Sequence, residues 1–238
     1  MIIISILALV PFCLLGQTDS LKVEARVGVR GKWQTGNLAQ FVINPNAGLT
    51  FKKNNNQLEF QGNYEFLKVN QGSLINDFWT YGIYQYQVHN TLFPIVMIHY
   101  GYSQAYAIDN SLIGGLGFGV NLMPKNHRSY IQTNLFIGHL NIKYQDVSKH
   151  KGTSLGSYVK LKFPIVKESL EILLDAQAYL SLKDTAYSSF NSRIIFLFKL
   201  INNFGFDLTY NLVYTNNNPS VTSKANGKLI FGLNYSFK

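Results

Sequence analysis

From Phe204 to Thr215 the chain alternates strictly: Phe204, Phe206, Leu208, Tyr210, Leu212 and Tyr214 share one parity, and Gly205, Asp207, Thr209, Asn211 and Thr215 the other. A period of two sends successive side chains to opposite faces of a strand, so one face is apolar and the other polar. The same rule governs the last segment, where Leu229, Phe231, Leu233, Tyr235 and Phe237 oppose Asn226, Lys228, Gly232, Asn234 and Ser236. It also governs an early one, where Leu58, Phe60, Tyr64 and Phe66 oppose Gln57, Glu59, Gln61, Asn63 and Glu65.

Extended along the chain, with Asn, Gly, Lys, Asp and Pro as turn signals, the pattern predicts an all-β protein of about twelve strands, with ten as the alternative count. They run from Lys22 to Gln34, Ala39 to Phe51, Gln57 to Val69, Asn76 to Val88, Leu92 to Ser103, Leu112 to Leu122, Arg128 to Gln145, Thr153 to Phe163, Ser169 to Leu182, Ser189 to Leu200, Phe204 to Thr215 and Ala225 to Phe237. Between Ser169 and Leu182 the composition also suits a helix, but Leu170, Ile172, Leu174, Ala176, Ala178, Leu180 and Leu182 share one strand face, which favours a strand. In the seventh strand the parity switches near Gly138, where His139, Asn141 and Lys143 follow Ile131, Thr133, Leu135 and Ile137; a bulge at the glycine is expected.

Alternation alone does not say which face looks outward, since a soluble sandwich also has one apolar face per strand. Strand length decides for a membrane: the segments approach the 9 to 11 residues of a tilted membrane strand rather than the 5 or 6 of soluble sheets. In hydrocarbon every backbone polar group must be paired, so the sheet has to close. The expected fold is an antiparallel transmembrane β-barrel, with a soluble periplasmic β-sandwich as the alternative. Aromatic pairs near strand ends, Tyr84 with Tyr86, Tyr100 with Tyr102 and Tyr235 with Phe237, suit the headgroup level. With both termini periplasmic, the inner connections would be Lys52 to Asn56, His89 to Thr91, Met123 to His127, Pro164 to Glu168 and Ile201 to Asn203, all short, and the one long outer connection would be Asn216 to Lys224.

Composition sharpens this picture. Only 14% of residues are charged, where roughly a quarter is usual for a soluble domain. The apolar run from Met1 to Leu15, followed by Gly16, Gln17, Thr18 and Asp19, matches the core of a secretory signal. Residues 1–16 are therefore expected to be a signal peptide and residues 17–238 a single barrel domain. Cys13 is the only cysteine and would leave with the signal, which excludes disulfides and thiol chemistry from the exported chain.

An early strand reaching Gly31, Lys32 and Trp33, with Gly36 and Asn37 at the first outer turn, together with the string from Gly114 to Gly119, resembles the YdiY-like, or salt-induced, outer-membrane proteins, a family of uncharacterised outer-membrane barrels. The resemblance spans about Lys22 to Leu140 and implies the barrel and an outer-membrane location in a Gram-negative bacterium. It carries no catalytic residues. Gly115, Gly117 and Gly119 alternate within a strand with no helix after them, which excludes a phosphate loop and points to space in a crowded lumen or sheet curvature.

The polar parity places a mixed set of charges inside. The lumen-lining set is Glu24, Arg26, Arg30, Glu59, Glu65, Lys160, Lys162, Glu171, Asp175, Arg193, Lys199, Asp207 and Lys228, with Lys22, Lys32 and Asp77 on the same face. Such groups either pair across the barrel and hold it shut or line a narrow channel whose basic surplus favours anions. Lys52, Lys53, Lys125, Arg128, Lys149 and Lys151 lie in or near turns, within reach of anionic headgroups.

A non-enzymatic role follows, structural or as a narrow channel, with a lipid-modifying barrel enzyme as the alternative; His99 with Ser103 and His139 with Asp146 are its nearest candidate pairs. No metal-ligand motif and no cofactor site is legible. The net charge of +9 comes without a nucleic-acid recognition motif. Outer-membrane lipid, lipopolysaccharide and, during insertion, the barrel-assembly machinery are the expected partners.

Overall fold

Twelve strands form one closed antiparallel barrel in which each strand pairs with its sequence neighbours and the last pairs with the first. The computed structural model describes residues 21–34, 40–69, 73–88, 90–104, 107–123, 129–145, 148–166, 169–185, 187–201, 203–216 and 225–237. The strands are β1 (Lys22–Gln34), β2 (Gln40–Lys53), β3 (Asn56–Val69), β4 (Ser73–Gln85), β5 (Leu92–Ser103), β6 (Ile108–Met123), β7 (Tyr130–Tyr144), β8 (Lys149–Val166), β9 (Leu170–Ser181), β10 (Ser188–Ile201), β11 (Phe204–Thr215) and β12 (Ala225–Phe237). The expected signal segment, Cys13, Gly36, Asn37, Lys125, Arg128, Asp146 and most of the long outer connection lie outside the described residues.

The apolar parity faces outward on all sides. Val27, Leu116, Phe118, Leu135, Ile137, Phe231 and Leu233 are exposed on the outer surface, Leu116 to 63% and Phe118 to 58%. Exposed patches of this extent are foreign to soluble monomers and match a surface bathed in lipid. Tyr84, Tyr235 and Phe237 lie outward towards the end that carries the termini, and Tyr100 and Tyr214 towards the other. The segment from Ser169 to Leu182 forms strand β9, paired along its length with β8 and β10.

Two expectations change. β7 pairs with β8 without a register shift from Tyr130↔Lys162 to Lys143↔Lys149, and with β6 without one around Gly115↔Gly138, so there is no bulge at Gly138. Parity is kept, and the polarity of both faces is what changes: beyond Gly138 the inward positions are Leu140 and Tyr144, and the outward ones are His139, Asn141 and Lys143. The shifts that do occur sit near strand ends, as between Ile108/Asn110 and Asn121/Met123 in β6. Secondly, β6 and β8 extend further than the hydropathy pattern shows, β8 to 18 residues; at the end away from the termini the added outward positions Asp109, Lys149 and Lys151 are polar, so the strands continue where the apolar-out pattern stops.

Among the described residues the seam between β1 and β12 is the shortest of the barrel, running only from Ala25↔Phe237 to Gly31↔Phe231, whereas β1 pairs with β2 from Lys22↔Lys52 to Gln34↔Gln40.

Candidate functional site

The polar face makes the lumen, and the strand registers align its charges. One lumenal row runs Gln132, Lys160, Asp175, Arg193, Asn211, Lys228 across β7 to β12, so that a carboxylate sits between two cations on neighbouring strands. Cross-strand pairs of opposite charge stabilise a sheet. This arrangement also does something that neighbouring strands alone do not.

Lys160 reaches across the lumen from β8 to β3, where its ammonium donates to both Glu59 carboxylate oxygens at 2.6 Å. Around this pair the side chains form a closed ring. Tyr81 Oη contacts Glu59 at 3.1 Å and Tyr158 Oη at 2.9 Å, Tyr158 Oη contacts Asp175 at 3.2 Å, Arg193 donates to Asp175 at 2.6 Å and to Gln61 at 3.2 Å, and Gln61 donates to Glu59 at 3.2 Å. The Lys160 ammonium also lies over the Tyr158 and Tyr81 rings, 5.1 and 5.7 Å from their centroids. Two carboxylates and two cations make the cluster neutral. Two phenolic hydrogens serve the three contacts of Tyr81 and Tyr158, so one of these contacts has no proton at any moment.

Smaller pairs surround the ring. Arg30 Nε donates to Asp207 Oδ1 at 2.9 Å, and Thr209 and Asn234 donate to the same carboxylate. Lys228 pairs with Glu65. Glu171 lies between Lys199 at 2.8 Å and Lys162 at 3.5 Å, Glu24 pairs with Lys52 at 2.6 Å, and Arg26 donates to Ser236. These side chains share the inward parity of their strands, with Glu24 and Arg26 exposed near the end that carries the termini, and Glu59, Lys160, Asp175 and Arg193 are the ones brought together at the centre. Asp77 accepts from Ser103; the side chain of Lys32 lies outside the described residues.

The polar lumen inferred from the sequence needs a correction: one side of it is a hydrophobic core. Ile83, Phe93, Ile95, Met97, Ile113, Phe136, Leu140 and Tyr179 pack together inside β4 to β9. The inward glycines make room for it. A Cβ on Gly119 would fall on the Phe93 ring, and one on Gly156 on the Phe136 ring.

The candidate pair His99 and Ser103 is not assembled, and Asp146, the candidate partner of His139, lies outside the described residues. His99 is stacked between Trp79 and Tyr179, while Ser103 is engaged with Asp77. His139 is exposed on the outer face. A pair that spacing did not disclose, His150 Nε2 and Ser181 Oγ at 2.8 Å, is buried under Tyr187, and Ser181 has no exposed surface with which to meet a substrate. Tyr81, Tyr158 and Gln61 were also missed as members of the central cluster, although each shares the inward parity of its strand. Among the described residues no group of three His, Cys, Asp or Glu side chains could hold a metal ion.

The family described as "Protein of unknown function, DUF481" matches residues 27–237. No curated protein is matched by the sequence. Among solved structures, the NanC porin is similar over 91% of this chain and 100% of its own, at 9% identity and a TM-score of 0.52. An outer membrane channel from Pseudomonas putida F1 is similar over 93% of this chain and 98% of its own, at 8% identity and a TM-score of 0.55. These likenesses establish the barrel architecture.

Proposed function

The chain belongs to the DUF481 family, and for this member of it we propose a non-enzymatic barrel of the outer membrane of a Gram-negative bacterium, a structural element of the envelope whose lumen is held closed at mid-height. The observation that carries this reading is the grip of Glu59 on Lys160 across the barrel, with the ring from Tyr81 to Gln61 around it. The lipid-like outer face supports the membrane location, and the solved barrels of similar architecture are named as a porin and an outer membrane channel. The YdiY-like, salt-induced label is compatible with this role. Both termini face the periplasm, the aromatic β12 serves as the strand read by the assembly machinery, and lipid and lipopolysaccharide surround the barrel.

A second reading, a narrow channel, is favoured by the other side of the lumen. There Arg26, Arg30, Lys52, Arg193 and Lys228 outnumber Glu24, Glu65, Asp175 and Asp207, a surplus that attracts anions. Planar bilayers containing the purified protein separate the readings. Silence supports the closed structural barrel, stable anion-biased conductance supports the channel, and silence accompanied by lipid hydrolysis or acyl transfer would restore the enzyme.

A further inference from the structure

At the end away from the termini, β7 and β8 keep their alternation after leaving the apolar band, so the positions that continue its outer face are polar. His139, Lys149, Lys151 and Thr153 are exposed there, while the interleaved Leu140, Tyr144, His150 and Ser154 are buried. The register sets Lys143 directly opposite Lys149, and Asn141 opposite Lys151. Like charges facing each other across a strand pair are destabilising without a counter-charge. Asp109 supplies one, at 2.5 Å from Lys143. Among the described residues no carboxylate pairs with Lys149 or Lys151.

One row below the polar group the surface is greasy, with Leu116, Ile137 and Leu155 in register on β6, β7 and β8 and all exposed. Between the two lies a notch. Gly114 faces His139 in register, and the space a Cβ would enter there is open, with nothing within 4 Å. Lys151 stands four residues beyond Leu155, about 13 Å along the strand, which sets the ammonium groups above the hydrocarbon.

We infer that this outer face of β6 to β8 binds a phosphorylated glycolipid of the outer leaflet, with Lys149 and Lys151 as phosphate ligands and the Leu116, Ile137 and Leu155 row against its acyl chains. A free anion would need only the lysines; their position directly over an exposed apolar row with a notch between is what selects a lipid. The inference rests on the outer-membrane orientation proposed above.

Native mass spectrometry of the detergent-purified protein tests the binding. Diphosphoryl lipid A is expected to remain bound, monophosphoryl lipid A more weakly, and the K149Q/K151Q variant is expected to lose about tenfold or more in affinity while K183Q, at the same end, does not. Equal retention of phosphatidylglycerol, full displacement by inorganic phosphate, or unchanged affinity in K149Q/K151Q overturns the inference. The orientation is read separately, by labelling Lys151→Cys on intact cells with a membrane-impermeant maleimide. Labelling supports the outer-leaflet assignment. Labelling only after the cells are broken overturns the orientation, and the outer-leaflet assignment with it, even where lipid A binds in detergent.

Discussion

Arg30 and Asp207 meet at 2.9 Å directly above Gly232, the β12 residue that is the register partner of both. A Cβ on Gly232 would stand 2.5 Å from Arg30 Cγ and 3.1 Å from Asp207 Oδ2. The pair therefore spans two seams because the residue between them has no side chain. Gly232→Val is expected to push Arg30 aside and leave Asp207 with only its neutral donors, costing about 1–3 kcal/mol. The midpoint of urea unfolding of the folded barrel in lipid vesicles measures this, and an unchanged midpoint would show that Arg30 has another place to go.

The central pair is expected to be worth more to break than to replace. Lys160→Met leaves the Glu59 carboxylate buried and unmatched, a loss of about 3–5 kcal/mol. Adding Glu59→Gln removes the stranded charge, and the double variant should recover most of that loss. A double-mutant cycle on the unfolding free energies reads the coupling; additive losses would mean that Glu59 and Lys160 do not act on each other.

Glycines of the same strand should respond in opposite ways. Gly119→Ala drives a methyl into the Phe93 ring and is expected to cost about 1–3 kcal/mol. Gly114→Ala enters open space on the outer face and should be neutral or stabilising by about 0.4–1 kcal/mol. The two unfolding midpoints, measured side by side, must separate in that order.

On β7 the outward positions change from apolar to polar between Ile137 and His139, which sets the expected edge of the hydrocarbon. A lysine at Leu135 is expected to cost about 2–4 kcal/mol, and a lysine at His139 about 0–1 kcal/mol. Denaturant titration of refolding into vesicles gives both values, and equal costs would move the apolar band.

The strand count and nearly every face were legible in the sequence, because a surface in lipid demands an unbroken apolar parity. β11 shows the rule at its cleanest: Phe204, Phe206, Leu208, Tyr210, Leu212 and Tyr214 face out and Asp207 and Thr209 face in. Legibility faded where that demand lapses. On β5, Phe93, Ile95 and Met97 face the lumen while Leu92, Val96 and Ile98 face lipid, so both parities are apolar and alternation carries no sign of the inner core. Past Gly138, Leu140 and Lys143 exchange the usual polarity of their faces, and this imitates a bulge. The lumenal charges could be placed by parity, but their partners could not. Glu59 and Lys160 lie on strands five apart around the barrel, and only the closure of the sheet brings them within hydrogen-bond distance.

The short seam from Ala25↔Phe237 to Gly31↔Phe231 bears on how the barrel is made. Every other seam joins consecutive strands and can form as the chain arrives. This one joins the two ends, so it must wait for the last strand to be delivered, and closing so long a loop carries the largest entropy cost of any pairing in the molecule. Until then β1 keeps an open edge that would pair with any strand it meets. The first strand therefore stays open to mispairing until the segment ending at Phe237 has arrived, and the order of assembly is set by the last residues of the chain rather than the first.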